Sequence, residues 1–139
     1  MTIFASKRNF FIEHIMKIIL LIGAGGFIGS VSRYLVTRWI QTGLQVFFPV
    51  GTLAVNVIGS FLIGLVFGLS AGETLVTPEW RLFLTVGILG GFTTFSSFSY
   101  DSLMLLRDGQ VAAFLLYAFL SILLALVAVY LGYVLTKLL

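Results

Sequence analysis

The stretch GGFTTFSSFS, residues 90–99, lies within an apolar segment long enough to cross a membrane. It combines two glycines, two adjacent threonines and three serines, which are weaker helix formers than alanine or leucine. We predict a broken helix here, because irregular backbone at membrane depth is tolerated where it is buried in protein or lines a cavity. Carbonyl groups exposed at such a break can hold a cation. The alternative is a continuous helix whose hydroxyl groups bond back to the preceding turn.

Charged residues are rare on both sides of this stretch. Of the 139 residues, 60% are hydrophobic and 9% are charged, whereas about 25% are charged in an ordinary soluble domain. A transmembrane helix needs about 20 mainly apolar residues. The uncharged stretches 39–72, 82–100 and 109–136 reach that length, and 18–32 reaches it only if Arg33 sits in a wet pocket or extends its guanidinium to the interface.

These stretches predict an all-α integral membrane protein with four transmembrane helices, the third of them broken. The helices are expected to run from about Lys17 to Trp39, Val50 to Leu69, Trp80 to Leu106 and Gln110 to Leu138. Residues 1–15 are expected to form a lead-in outside the membrane, and residues 16–139 one four-helix domain, since no linker divides the spans. A cleaved signal peptide is the alternative for the first segment, but its removal would destroy the first span.

The basic residues leave the orientation in the membrane open. With four spans, one side holds Lys7, Arg8, Lys17, Arg81 and Lys137, and the other side holds Arg38 and Arg107. If translation starts at Met16, the contrast falls to three against two. The positive-inside rule needs a larger bias to fix one orientation. We therefore expect a chain that can insert both ways.

Several functional classes lack the residues that they need. The chain has no cysteine and a single histidine, His14, so neither thiol chemistry nor a histidine metal centre is expected. No nucleophile with an adjacent base is recognisable, and we predict that the protein is not an enzyme. The net charge of +3 comes from so few charged residues that it indicates contact with membrane lipid rather than with nucleic acid.

Rows of small residues along three helices predict close packing, because small side chains let helix backbones approach each other. The rows are Gly25, Gly29 and Arg33 on the first helix, Thr52, Asn56, Ser60, Gly64 and Gly68 on the second, and Tyr117, Ser121, Ala125 and Ala128 on the fourth. Asn56 lies several turns inside its span, where an unsatisfied polar group is costly. It either bonds to another helix or faces a solute path. Arg33 either snorkels or lines an anion-attracting vestibule.

Phe95 and Phe98 lie three residues apart and fall near one face if the chain is helical there. Phenylalanines in membrane proteins usually contact lipid or each other. An aromatic ring also has a positive edge, so a poorly hydrated anion can contact ring edges where Ser, Thr and Asn supply hydrogen bonds.

Three strings connect these features to a known family. GAGGFIGSVSRYL (residues 23–35), GTLAVNVIGSFLIG (51–64) and GILGGFTTFSSFSYD (87–101) closely resemble the Fluc family of fluoride channels, also called CrcB. The resemblance implies a homodimer of two antiparallel subunits in the bacterial plasma (inner) membrane, with two fluoride pathways lined by both subunits. It also implies a structural sodium ion at the subunit interface, which is not transported.

The resemblance assigns roles to eight residues. The fluoride pathway would be lined by Asn56, Phe95, Phe98, Tyr117 and Ser121, with Arg33 in the vestibule, and the sodium ion would be bound by the backbone carbonyls of Gly90 and Thr93. The chain departs from the family motif at Ser97, where Thr is frequent, and at Asp101, where Glu is frequent. Both departures keep the functional group.

The resemblance implies passive efflux that lowers cytoplasmic fluoride, with fluoride ion as the transported partner. A membrane potential negative inside drives anions outward, by about 2.3 kcal/mol per charge per 100 mV. The alternative is a small dual-topology drug or cation exporter coupled to protons. Such exporters need a carboxylate within the membrane, and Glu13, Glu73 and Glu79 lie outside the predicted spans or at their ends, which leaves Asp101.

Overall fold

The computed structural model describes residues 2–70 and 77–138, and it describes side chains from residue 11 onward. All elements in these ranges are helical, and four segments are long and apolar enough to cross a membrane: Phe11–Leu44, Val50–Ser70, Pro78–Arg107 and Val111–Leu135. The prediction of an all-α protein with four membrane-spanning helices is therefore confirmed. Glu73 belongs to the predicted second loop and lies outside the described residues.

The first helix is longer than its hydropathy indicates. Helix α1 covers Thr2–Leu44, and helix α2 follows at Val50–Ser70 after a short turn. The stretch before Met16, expected to be an aperiodic lead-in, is helical and continuous with the first span. Hydropathy could not indicate this extension, because a helix that carries polar residues continues without an apolar signal. That residues 1–15 lie outside the membrane stays a prediction.

The third span is built from several short segments. Helix α3 covers Pro78–Leu82 and continues into a π-helical segment, Phe83–Leu89, and then into one turn, α4, at Gly90–Phe92. After two residues with extended backbone, helix α5 covers Phe95–Arg107. Helix α6 then covers Val111–Leu135. A tight turn joins α5 to α6, with Gly109 at φ 73° and its amide donating to the Leu106 carbonyl at 3.1 Å.

Close contacts at glycine hold the four spans together, as the small-residue rows predict. A Cβ atom added at Gly64 on α2 would overlap the carbonyl oxygen of Val129 on α6. A Cβ atom at Gly25 on α1 would lie 2.8 Å from the carbonyl oxygen of Phe83 in the π-helical segment. The backbones therefore touch at both crossings, and a side chain at either position would force the helices apart.

The turn between α1 and α2 is tied down by one side chain. Gln41 donates from Nε2 to the carbonyl oxygens of Val46 at 2.7 Å and Phe48 at 3.1 Å, and its Oε1 accepts from the Gly51 amide at 3.2 Å. The Gly51 amide is a donor that the first turn of α2 leaves without a helical partner, and the two carbonyl groups belong to the turn itself. The turn thereby holds the Phe48 ring against the core residue Tyr117, with 5.6 Å between ring centroids.

Candidate functional site

The third span changes its hydrogen bonding between α4 and α5. Thr93 (φ −82°, ψ 155°) and Thr94 (φ −154°, ψ 120°) have extended backbone within the run GGFTTFSSFS. The Thr93 amide donates to the Leu89 carbonyl at 2.9 Å, while the Thr94 amide donates at 2.8 Å to Oδ1 of Asn56 on α2. In a continuous helix, the Gly90 carbonyl would accept a hydrogen bond from the amide of Thr93 or Thr94. That carbonyl is therefore not capped in the helical way.

Asn56 makes two hydrogen bonds to this segment. Its Oδ1 accepts from the Thr94 amide, and its Nδ2 donates to the Thr94 carbonyl at 3.0 Å. The Asn56 side chain thus bonds the backbone N–H and the backbone C=O of Thr94. In a continuous helix, both groups would bond to other backbone groups of the same helix. The second Nδ2 hydrogen has no partner among the residues that the structure describes. The Asn56 amide is consequently both an interhelical bond and a source of one unused donor.

The unused donor lies beside a groove that we call the phenylalanine groove. Its volume is about 420 Å³, and it lies between α2, α6 and the segment around Thr94. Its lining includes Asn56, Ser60, Thr93, Thr94, Phe95, Phe98, Ser121 and Ala125. Hydroxyl, amide and carbonyl groups therefore meet aromatic rings in one concave surface within the spans, which is where a poorly hydrated anion can be coordinated.

Aromatic rings continue from this groove toward the α1–α2 turn. The centroids of Phe95 and Phe98 are 5.5 Å apart, and those of Phe98 and Tyr117 are 5.2 Å apart. The Phe48 ring packs edge-on against Tyr117. Phe95 is 79% exposed, whereas Tyr117 is fully buried. The four rings form a row that begins at the open groove, includes the buried Tyr117 and ends at the half-buried Phe48 of the α1–α2 turn.

Two further polar groups lie along this row. The Tyr117 hydroxyl donates to Oδ2 of Asp101 at 3.3 Å, so the carboxylate inside the third span has a partner from α6. Ser121, one turn beyond Tyr117, has a buried Oγ without a hydrogen-bond partner among the described residues. Because an orphaned buried hydroxyl is costly, the Ser121 Oγ is a group that an ion or water in the groove would satisfy.

Arg33 lies in a second groove, which we call the arginine groove. This groove has a volume of about 440 Å³ and is lined by Arg33 and Arg38 of α1, Thr52 of α2 and Ser97 of α5, among others. The two grooves adjoin, because the Thr94 Oγ1 of the phenylalanine groove donates to the Ser97 Oγ at 3.2 Å. One contact between two side chains, Thr94 and Ser97, therefore separates the arginine groove from the polar part of the phenylalanine groove.

The carbonyl groups predicted to bind sodium can be compared with what a hard cation needs. The described residues contain no group of three or more His, Cys, Asp or Glu side chains that could hold a metal ion. Gly90 is exposed, and its carbonyl lacks the two amides that would normally cap it. Near Thr93, the Ser97 amide donates to the Thr94 Oγ1 rather than to a helical carbonyl. Oxygen donors of this kind suit a hard cation.

The structure brings most of the candidate pathway residues together. Asn56, Phe95, Phe98 and Ser121 line one groove, with Tyr117 packed beneath Phe98, and Arg33 faces the adjoining one. Sequence reasoning missed Phe48 and did not identify the partner of Asn56. Phe48 belongs to none of the small-residue rows on the helices. The one local indication in the sequence was the adjacent Pro49, which marks a turn at this position.

Comparison with known proteins gives consistent matches. A family model described as "CrcB-like protein, Camphor Resistance (CrcB)" matches residues 20–133. A protein of Thermus thermophilus named "Fluoride-specific ion channel FluC" is 54% identical over 114 residues, which cover 82% of this chain and 89% of the relative. Relatives with the same name from Chlorobium chlorochromatii (48% over 114 residues, 82% and 88% covered) and Rhizobium meliloti (48% over 122 residues, 88% and 98% covered) extend the match.

Proposed function

The chain belongs to the CrcB family of fluoride channels, and from this membership we infer that the phenylalanine groove is its path for fluoride. The protein is a fluoride-specific ion channel subunit and a multi-pass bacterial membrane protein. Its relatives are ion channels, a class distinct from enzymes. The observation that carries the inference is the Asn56 amide, which is anchored on Thr94 and presents a free donor beside Phe95.

The groove offers fluoride replacements for its hydration shell. Fluoride accepts hydrogen bonds strongly, and the Asn56 amide and the Ser121 hydroxyl each have an unused donor there. The positive edges of Phe95 and Phe98 supply weaker attraction without a full charge that would trap the ion. Conduction needs binding that favours entry and remains weak enough for exit. Arg33 would raise the local concentration of anions before they enter.

A sodium ion would be held by the carbonyl oxygens of Gly90 and Thr93 from two subunits. The uncapped Gly90 carbonyl and the extended backbone at Thr93 support this assignment, because neither carbonyl sits in an uninterrupted helical turn. When bound, the ion supplies a fixed positive charge that offsets part of the cost of bringing an anion into low dielectric. The interruption of the third span would serve chiefly to expose these oxygens.

The functional unit would be an antiparallel homodimer in membrane lipid. Phe95, with 79% of its surface exposed, stands at the open side of the phenylalanine groove, so one chain leaves this part of the pathway uncovered. A second copy packed against that side would close it. The weak bias of basic residues allows both orientations in one membrane.

Labelling of single added cysteines tests the dual topology. The natural chain has no cysteine, so a cysteine placed after Leu139 is a unique target. In intact cells or oriented vesicles, we expect a membrane-impermeant maleimide to label about half of the molecules from each side. A cysteine at the exposed residue Gln110, which lies at the opposite end of the spans, should give the same division. Labelling from one side alone would contradict the dual topology.

A pH gradient separates passive conduction from proton-coupled export. Asp101 is a carboxylate within the spans and accepts a hydrogen bond from Tyr117. The experiment therefore tests whether Asp101 carries protons during transport. Fluoride efflux from liposomes should follow the electrical gradient and should be the same with and without an imposed pH gradient. An efflux rate that scales with the pH gradient at fixed potential would contradict passive conduction and indicate proton-coupled transport of fluoride.

A further inference from the structure

The arginine groove differs from the phenylalanine groove in charge rather than in size. Its volume is about 440 Å³, against about 420 Å³ for the phenylalanine groove, but its lining includes two arginines, whereas no charged residue lines the other groove. A chamber that only guided fluoride to the phenylalanine groove would not need a second arginine, yet Arg38 lines it together with Arg33. The role of Arg38 is not explained by the fluoride path.

The positive charge in this groove is uncompensated. Among the described residues, no carboxylate lies within ion-pair distance of Arg33 or Arg38. Arg33 is half-buried, and Arg38 makes one long contact, from NH1 to the Tyr34 hydroxyl at 3.4 Å. Arg33 and Arg38 both line this groove, so an anion bound there would be stabilised by both positive charges.

Hydroxyl groups complete the lining. The side chains of Ser30 and Thr37 lie in the same groove and form no hydrogen bonds with the residues that the structure describes. Guanidinium forks and hydroxyl donors are the groups that bind the several oxygens of a tetrahedral anion.

We propose that the arginine groove binds a phosphate-class oxyanion between Arg33 and Arg38, and that its occupation slows fluoride entry. The regulatory part rests on the proposed fluoride path. The oxyanion would carry one or two negative charges next to Ser97, which contacts Thr94 of the phenylalanine groove. Repulsion between the bound oxyanion and an entering fluoride ion raises the energy of the fluoride. Each subunit of an antiparallel dimer would carry one such groove, on opposite faces of the membrane.

Fluoride efflux in the presence of inorganic phosphate tests this proposal. The protein is reconstituted in vesicles of zwitterionic lipid, and millimolar phosphate is compared with gluconate at matched ionic strength. We expect phosphate to slow efflux severalfold in the wild type. In Arg38→Gln the phosphate sensitivity should fall about tenfold or more, because one charge-assisted contact is lost. Arg107→Gln is the matched control, since it removes one positive charge on the same side from an exposed residue paired with Asp108.

Phosphorus NMR of phosphate added to the detergent-solubilised dimer measures binding without fluoride. Broadening that Arg38→Gln abolishes and Arg107→Gln retains would support the oxyanion site, even in a protein that moves no fluoride. Slower efflux in vesicles with phosphatidic acid, relieved by Arg38→Gln, would identify a lipid headgroup as the source. Equal phosphate responses in Arg38→Gln and the wild type, or no response to either phosphate source, would overturn the proposal.

Discussion

Asn56→Asp is expected to reduce fluoride flux by about a hundredfold or more while the dimer stays folded. The carboxylate has no hydrogen to donate, so it loses the bond to the Thr94 carbonyl and the free donor that faces the groove. It also adds a negative charge beside the ion path. A unit charge about 5 Å from a passing anion raises its energy by about 3 kcal/mol at an effective dielectric constant of about 20.

Ser60→Ala is the matched control for this substitution. Ser60 lines the same groove one turn away, and its Oγ donates to the Asn56 backbone carbonyl at 2.7 Å. Removing that hydroxyl leaves the Asn56 amide in place, so we expect flux within about threefold of the wild type. Wild-type flux in Asn56→Asp would show that Asn56 serves as an interhelical bond and nothing more.

Phe95→Ile separates the ring from the helix-bridging bonds. Phe95 is 79% exposed and takes no part in the Asn56 bonds to Thr94, so its replacement should not disturb the fold. We expect a clear reduction of flux, though smaller than in Asn56→Asp, because a ring edge carries only partial charge. Size-exclusion chromatography of both variants checks that the dimer is intact.

Exhaustive replacement of sodium by a large organic cation is expected to weaken both the dimer and the fluoride flux. An ion bound by carbonyls of Gly90 and Thr93 from both subunits would stabilise only the assembled state. A ligand present at about a hundred times its Kd stabilises the state that binds it by about 2.7 kcal/mol. Flux and dimer stability should therefore fall slowly, as the ion leaves, and should return when sodium is restored.

Two substitutions locate the effect in the backbone. Thr93→Ser keeps the carbonyl and the hydroxyl that donates to Leu89, so it should be mild. Gly90→Ala should weaken sodium dependence by favouring regular helix, and its added Cβ meets nothing closer than 3.4 Å. Gly91→Ala is a poor probe, because its Cβ would lie 2.7 Å from the Gly26 carbonyl oxygen and disturb helix packing. Unchanged flux and stability after long incubation without sodium would contradict the assignment.

The spans could be predicted from sequence because hydrocarbon imposes a length and a composition on any helix that crosses it. The row containing Gly64 likewise predicted a close helix crossing, since only small residues permit one. Asn56 was harder, because its partner Thr94 is 38 residues away and no periodicity links the two. The sequence suggested two alternative roles for Asn56, an interhelical bond or a donor that faces the pore. The side-chain amide has two hydrogens, so one can bond to Thr94 while the other remains free to donate.

The position of Phe48, which the α1–α2 turn determines, could not be predicted from the sequence. Phe48 joins the aromatic row because Gln41 fixes the α1–α2 turn through three hydrogen bonds, and no local propensity indicates that arrangement. The length of α1 was missed for a different reason. Hydropathy reports where a helix is apolar, and Thr2–Leu44 continues as helix well outside its apolar part.

We expect this chain to conduct fluoride passively and in preference to chloride. Liposomes that hold the purified protein are loaded with either potassium fluoride or potassium chloride, and a potassium ionophore starts the efflux. An ion-selective electrode then records the anion that leaves the liposomes. The expected result is rapid fluoride efflux, with no chloride efflux above that of protein-free vesicles. Equal rates for the two anions, or fluoride efflux no faster than in protein-free vesicles, would contradict it.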